Sequence, residues 1–249
     1  MNVFHNLSKQ INNPRRLMFL SLLILGMLIH YPQQDFWPLI VQGDLSRDLY
    51  VYQLTQSGEL PYRDYFYNYG PLMPFYYAFF YTLFGVKFSS ILLGVIALDM
   101  VSGMLIYLIL ARLTTPLIAF LGASWFWLFY EKLIFNFNHF GAVPLILLNL
   151  YWLIKFYDKP AVKLFVGVLG TVFLLLLVKI NLGVCVLAYS WAVVLAMRIK
   201  GRLKVFRFKS PLLILALLPL ASAAFVYWLL LHGLPGYYVK QCLLSSLSY

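Results

Sequence analysis

Residues 71–85 read PLMPFYYAFFYTLFG, from Pro71 to Gly85, with two prolines and seven aromatic residues in fifteen positions. Whether this stretch crosses a bilayer sets the side on which every later loop lies. A span needs about 20 apolar residues, within a range of about 17–25. Seven other runs approach that requirement: Leu17 to Tyr31, Ser89 to Leu110, Pro116 to Tyr130, Gly141 to Phe156, Leu164 to Val178, Leu182 to Met197 and Leu212 to Leu231. Lys and Arg decide the question that length leaves open. If 71–85 stays on one side and the N-terminus is cytoplasmic, the inside holds Lys9, Arg15, Arg16, Arg112, Lys155, Lys159, Lys163, Arg198, Lys200, Arg202, Lys204, Arg207 and Lys209. That leaves Arg47, Arg63, Lys87, Lys132, Lys179 and Lys240 outside, a split of 13 to 6. If the stretch crosses, the inside count falls to 7 against 12. The positive-inside rule therefore predicts seven spans, with 71–85 as an external aromatic segment of the kind that lies among headgroups.

The whole composition agrees. The 249 residues are 63% hydrophobic and 11% charged, with a mean hydropathy of +0.82; soluble domains are about 45–50% apolar and about 25% charged. The expectation is an all-α, polytopic transmembrane bundle, a single membrane domain over 1–249. The net charge of +11 is read as an orientation signal, and the basic stretch Arg198 to Lys209 as a cytoplasmic loop facing anionic lipid, so nucleic acid is not an expected partner. Cys185 and Cys242 form neither a disulfide framework nor a metal spacing. The first apolar run has the basic flank of a signal peptide, but His30-Tyr31-Pro32 offers no small-residue cleavage site, so it is read as an uncleaved span.

This topology makes 32–88 one long outer loop holding five of the eight acidic residues, Asp35, Asp44, Asp48, Glu59 and Asp64. Leu45 to Ser57 reads as a short amphipathic helix capped by Asp44 and closed by Gly58. Asp44 and Asp48 stand four apart and share a face, with Arg47 beside them. On residues alone, Asp44 is either a cap or a chemical group, and Asp48 either pairs with Arg47 or acts. After Glu59-Leu60-Pro61-Tyr62-Arg63-Asp64 come turns and aromatics pressed on the membrane surface.

The ordered stretch GDLSRDLYVYQLTQSGELPYRDYFYNYGPLMPFYYAFFYTLFG, Gly43 to Gly85, resembles the first outer loop of membrane glycosyltransferases of the C-type fold. That group includes the protein O-mannosyltransferases and the lipid A aminoarabinose transferase. The resemblance rests on an acidic residue soon after the first span, then Gly58-x-x-Pro61-Tyr62-Arg63-Asp64, Tyr69-Gly70-Pro71-Leu72 and Leu83-Phe84-Gly85, joined later by Lys179-Ile180-Asn181-Leu182-Gly183. It implies inverting transfer of a hexosyl or pentosyl group from a polyprenyl-phosphate donor, on the outer face of a bacterial cell membrane. A phosphate leaving group needs little protonation, so one carboxylate as general base and cations near the phosphate suffice.

By that resemblance Asp44 matches the acidic position that acts as base or holds a divalent metal, and Asp48 is the reserve carboxylate. Arg63 and Lys179 are candidates for donor phosphate, and Asp64, Tyr69 and Asn181 complete the expected binding set. Asp64 reads more simply as the partner of Arg63. Relatives often carry a second acid in the next outer loop. Here that segment is Glu131 to His139, so Glu131 or His139 takes its place, or His139 is an ordinary histidine at a span mouth. With no second ligand at metal spacing beside His139, the cofactor stays open.

Two other classes compete. Asp99, mid-run, is a functional hypothesis by default and would serve a small transporter, or it packs helices near Ser102. Relatives in the family carry further spans, so a noncatalytic or truncated module is the other alternative.

Overall fold

In the computed structural model, the described residues are 14–30, 44–129, 137–203 and 211–232. They form nine helices: α1 Pro14–His30, α2 Asp44–Gln56, α3 Leu72–Phe84, α4 Phe88–Leu113, α5 Pro116–Phe129, α6 Phe137–Asp158, α7 Val162–Val178, α8 Ile180–Ile199 and α9 Pro211–Leu231. No strand is present among the described residues. Each of the seven apolar runs lies largely within a helix. Three stretches, Phe88–Leu113, His139–Asp158 and Ile180–Ile199, are long and apolar enough to cross a membrane. Leu72–Phe84, Pro116–Leu128, Val162–Val178 and Leu217–Leu231 are apolar but shorter. Large apolar side chains stand exposed along α1, α5 and α9, among them Ile24, Met27, Leu121, Trp125, Phe225 and Trp228. Continuous apolar exposure of this kind calls for lipid or another apolar cover.

The helices run up and down. At one end, the basic end, Tyr107 of α4 donates to the Arg15 carbonyl of α1 at 2.7 Å, Arg112 pairs with Asp158 of α6, and Arg202 lies 4.5 Å over the Tyr157 ring. At the other, the loop end, α7 and α8 reverse direction through one extended residue, Lys179. The reversal is tight because Gly183 has no side chain. A Cβ there would lie 2.7 Å from the Leu176 amide nitrogen. Lower in the same hairpin a buried polar network ties three helices. Asn149 of α6 donates to Thr171 of α7 at 2.8 Å and accepts from Ser190 of α8 at 3.1 Å. Bonding satisfies these groups where water is excluded.

The deciding stretch, 71–85, folds as α3. Thirteen residues rise only about 20 Å, less than the roughly 30 Å hydrocarbon core. The helix packs against α4 as an antiparallel hairpin. Tyr76 donates to the Gly94 carbonyl at 2.8 Å, and Ser90 donates to the Gly85 carbonyl at 2.7 Å. Gly94 supplies the room, since a Cβ there would meet Tyr77 at 2.9 Å. Tyr77 in turn stacks on Tyr52 of α2 at 4.7 Å and donates to the Phe137 carbonyl at 3.2 Å. Tyr77 and Tyr81 thus enter the core joining α2, α3 and α6, while Phe75, Phe79 and Phe84 stay exposed.

Gly70 fixes the loop to the bundle. Its amide donates to the Val178 carbonyl at 2.9 Å, and a Cβ would collide with the Leu177 carbonyl and lie 2.9 Å from the Tyr227 hydroxyl. Gly70→Ala should destabilise the protein by about 2–3 kcal/mol, the cost of forcing an extra group into a packed site. Thermal unfolding in detergent should show the midpoint falling by roughly 5–10 °C; an unchanged midpoint would mean the loop is not docked here.

Candidate functional site

Helix α2 begins at Asp44, one residue before the sequence-predicted start, and is followed by Gly58 at φ +96°, as the sequence predicts. Its buried face carries Val51, Tyr52 and Thr55, and also Asp48, which is fully buried. Asp48 accepts from Arg47 at 3.2 Å. A carboxylate without exposed surface cannot take a proton from an incoming acceptor in this conformation. Burial and the bond to Arg47 favour the simpler of the two readings of Asp48, a carboxylate that holds Arg47. Asp44 is helical and one turn earlier on the same face, while its side chain lies outside the described residues.

The loop after α2 is tied down by its own aromatics. Tyr62 adopts φ 68°, uncommon for a residue with a side chain. It is held there by its amide bond to the Tyr65 carbonyl at 2.9 Å, by its hydroxyl bond to the Tyr69 carbonyl and by its ring 5.8 Å from that of Tyr227. Thr55 and Tyr65 share a 2.6 Å hydroxyl contact. These anchors present Tyr69 at the loop end.

Around the Tyr69 ring three distant parts of the sequence meet. Arg47 of α2 lies 5.9 Å from the ring centroid, and Lys179 of the α7–α8 reversal lies 5.4 Å from it. His139, in the first turn of α6, stands edge-on at 6.1 Å. Lys179 Nζ approaches His139 Nε2 at 3.1 Å. A charged ammonium can only donate, so Nε2 accepts and the ring proton sits on Nδ1. Burial lowers the Lys179 pKa from its ordinary value. Asn181 turns its side-chain oxygen onto the Leu182 amide at 2.8 Å, finishing the hairpin rather than entering the cluster.

The structure does not bring Arg63 to this cluster. Arg63 and Asp64 form a self-contained exposed pair, with Arg63 donating at 2.8 Å. The Arg63 guanidinium, with the Leu60 amide, holds the Asp64 carboxyl below its ordinary value. Arg47 stands in the cluster instead; the signal that could have found it is its place one residue before Asp48 on the α2 surface. Glu131 lies outside the described residues.

The described donor set suits an anion. Arg47 and Lys179 are cations, His139 offers a donor at Nδ1, and the described carboxylate, Asp48, is already bound to Arg47. A divalent cation would be repelled by this group, and among the described residues no three His, Cys, Asp or Glu side chains gather to hold a metal. Beside the cluster, Pro71, Leu72, Phe75, Leu177, Val226 and Leu230 line an apolar groove of about 200 Å³. Leu177 and Pro71 each stand two residues from members of the cluster, so a cationic spot and a hydrocarbon-lined slot adjoin.

Asp99 does not bond to Ser102, whose hydroxyl donates to the Leu98 carbonyl at 2.8 Å. It is buried and faces His30 of α1, Nε2 to Oδ2 3.6 Å, beneath Trp127, which donates to the Asp99 carbonyl at 2.9 Å. This pair lies within the bundle. The site is characterised by these residues alone, for no protein-family model, curated protein or solved structure matches the chain.

Proposed function

We propose that the protein transfers a sugar from a polyprenyl-phosphate-linked donor to an acceptor hydroxyl, with inversion at the anomeric carbon. In this reading the loop end is extracytoplasmic, the basic end and N-terminus are cytoplasmic, and seven helices cross a cell membrane. The observation that carries it is the meeting of Arg47, Lys179 and His139 around Tyr69, next to an apolar groove. A lipid phosphate presents a head for the first and a chain for the second. The acceptor oxygen forms the new bond to the anomeric carbon as the bond to the phosphate oxygen breaks. The phosphate leaves with the electron pair, stabilised by Lys179 and Arg47, and the acceptor proton passes to Asp44 as general base. Asp48 positions Arg47.

Purified protein in vesicles, supplied with a polyprenyl-phosphate sugar, should yield an inverted glycoside on the acceptor; an absence of transfer with each of a panel of hexosyl and pentosyl donors would sink the reading. One observation favours a second reading, small-solute transport: the buried His30–Asp99 pair. Transport predicts solute flux lost in Asp99→Asn and kept in Asp44→Asn, the reverse of the pattern expected for transfer.

Orientation is tested separately. Val86 and Lys200 are exposed at opposite ends and avoid the positive-φ neighbours Gly85 and Gly201, where a new side chain would be strained. With both native cysteines replaced by Ser, Val86→Cys should label from outside and Lys200→Cys only from the cytoplasm. Labelling of both from one side would refute the topology.

A further inference from the structure

We propose that the groove at the basic end, between α1, α4 and α6, binds an anionic phospholipid. The groove holds about 430 Å³, within the range of ligand sites, about 300–1,000 Å³. Its rim is formed by Arg15 and Arg16 on the first turn of α1 and by Arg112 on the last turn of α4. Its walls are apolar, from Phe19, Leu20 and Leu108. Tyr107 and Tyr151 complete it, the residue type that sits at the level of headgroups. Tyr107 fixes the geometry by donating to the Arg15 carbonyl at 2.7 Å, which joins α1 to α4 beneath the rim.

Charge sets the ligand's head. Lys155 lies 5.1 Å over the Tyr151 ring and adds a fourth cation. Asp158, paired with Arg112, is the described carboxylate at this edge. Four cations against one carboxylate favour an anion, and guanidinium groups match phosphate oxygens in pairs.

Shape sets its tail. Leu20 is 55% exposed, and Ile24, one turn further along the same flank of α1, is 61% exposed. The groove therefore opens from its charged rim onto a bare hydrocarbon track running along α1 toward the loop end. A soluble phosphate would use the rim and leave that track uncovered. A phospholipid covers both, with its phosphodiester between the arginines and an acyl chain along Leu20 and Ile24. This site lies at the end of the bundle opposite Lys179, and the inference does not depend on sugar transfer.

The test is lipid binding by the full chain in nanodiscs of phosphatidylcholine containing graded phosphatidylglycerol, read by native mass spectrometry as retained adducts. Wild type should retain phosphatidylglycerol over phosphatidylcholine. A basic side chain near an anionic headgroup contributes about fivefold, the equivalent of about 1 kcal/mol, so Arg15→Gln with Arg16→Gln should weaken retention by roughly 25-fold. Arg15→Lys with Arg16→Lys should recover most of it. If the double Gln variant misfolds, Arg16→Gln alone should still show about fivefold. Unchanged phosphatidylglycerol retention in the Gln variants overturns the proposal. So does equal retention of phosphatidylcholine, equally tight binding of inorganic phosphate, or a preference for a polyprenyl phosphate over phosphatidylglycerol.

Discussion

Asp44→Asn should lower sugar transfer about 10²–10⁴-fold, the contribution of a positioned general base, while binding of the lipid donor changes little. Two carboxylates stand one turn apart on α2, and the proposed mechanism gives them different tasks. Asp48 points into the core near Tyr52 and Tyr77, where its oxygen is already used by Arg47. Asp44 occupies the helix start. The isosteric amide keeps size and hydrogen bonding but cannot take a proton. Asp48→Asn provides the contrast: a smaller loss in turnover, joined by a lower thermal midpoint, because a buried partner of Arg47 is altered. Equal turnover in Asp44→Asn and wild type removes Asp44 from the chemistry, whatever the donor.

The sequence made the elements legible, and it did so for a physical reason. Apolar runs bounded by charge, proline and glycine specify helices locally, and Gly58 and Gly183 mark places where the backbone turns or approaches closely. It also placed Tyr69, His139 and Lys179 at one end, since alternating spans put alternate loops on the same side. What it left open depends on which face of an element meets its neighbour. Arg47 and Arg63 are equivalent as letters; only the docking of α2 on Tyr77 and Phe137 turns Asp48 inward and sets Arg47 beside Tyr69. His30 and Asp99 are far apart in the chain, and nothing local in either sequence signals the other. The packing of α3 has the same origin. Its aromatics suit a headgroup belt equally well until Gly94 makes room for Tyr77 against α4.

Lys179→Met should lower transfer about 10²–10³-fold, the usual cost of removing one preorganised group that stabilises charge on a departing oxygen. The residue is unusual in position: it is the single extended link between α7 and α8, so its backbone is fixed by the hairpin and its ammonium by His139 and the Tyr69 face. Methionine keeps the length and apolar stem while removing the charge, so the fold should survive and the loss should fall on kcat. Burial sets the pH dependence. Because it lowers the lysine pKa, the protonated form is lost earlier as pH rises, and transfer should decline on an alkaline limb that lies below the ordinary lysine range. Lys179→Arg tests that sign directly: a guanidinium stays charged throughout, so the limb should disappear even where the altered geometry lowers the maximum rate. An alkaline limb that persists unchanged in Lys179→Arg belongs to another group, and Lys179 then serves the hairpin rather than the phosphate.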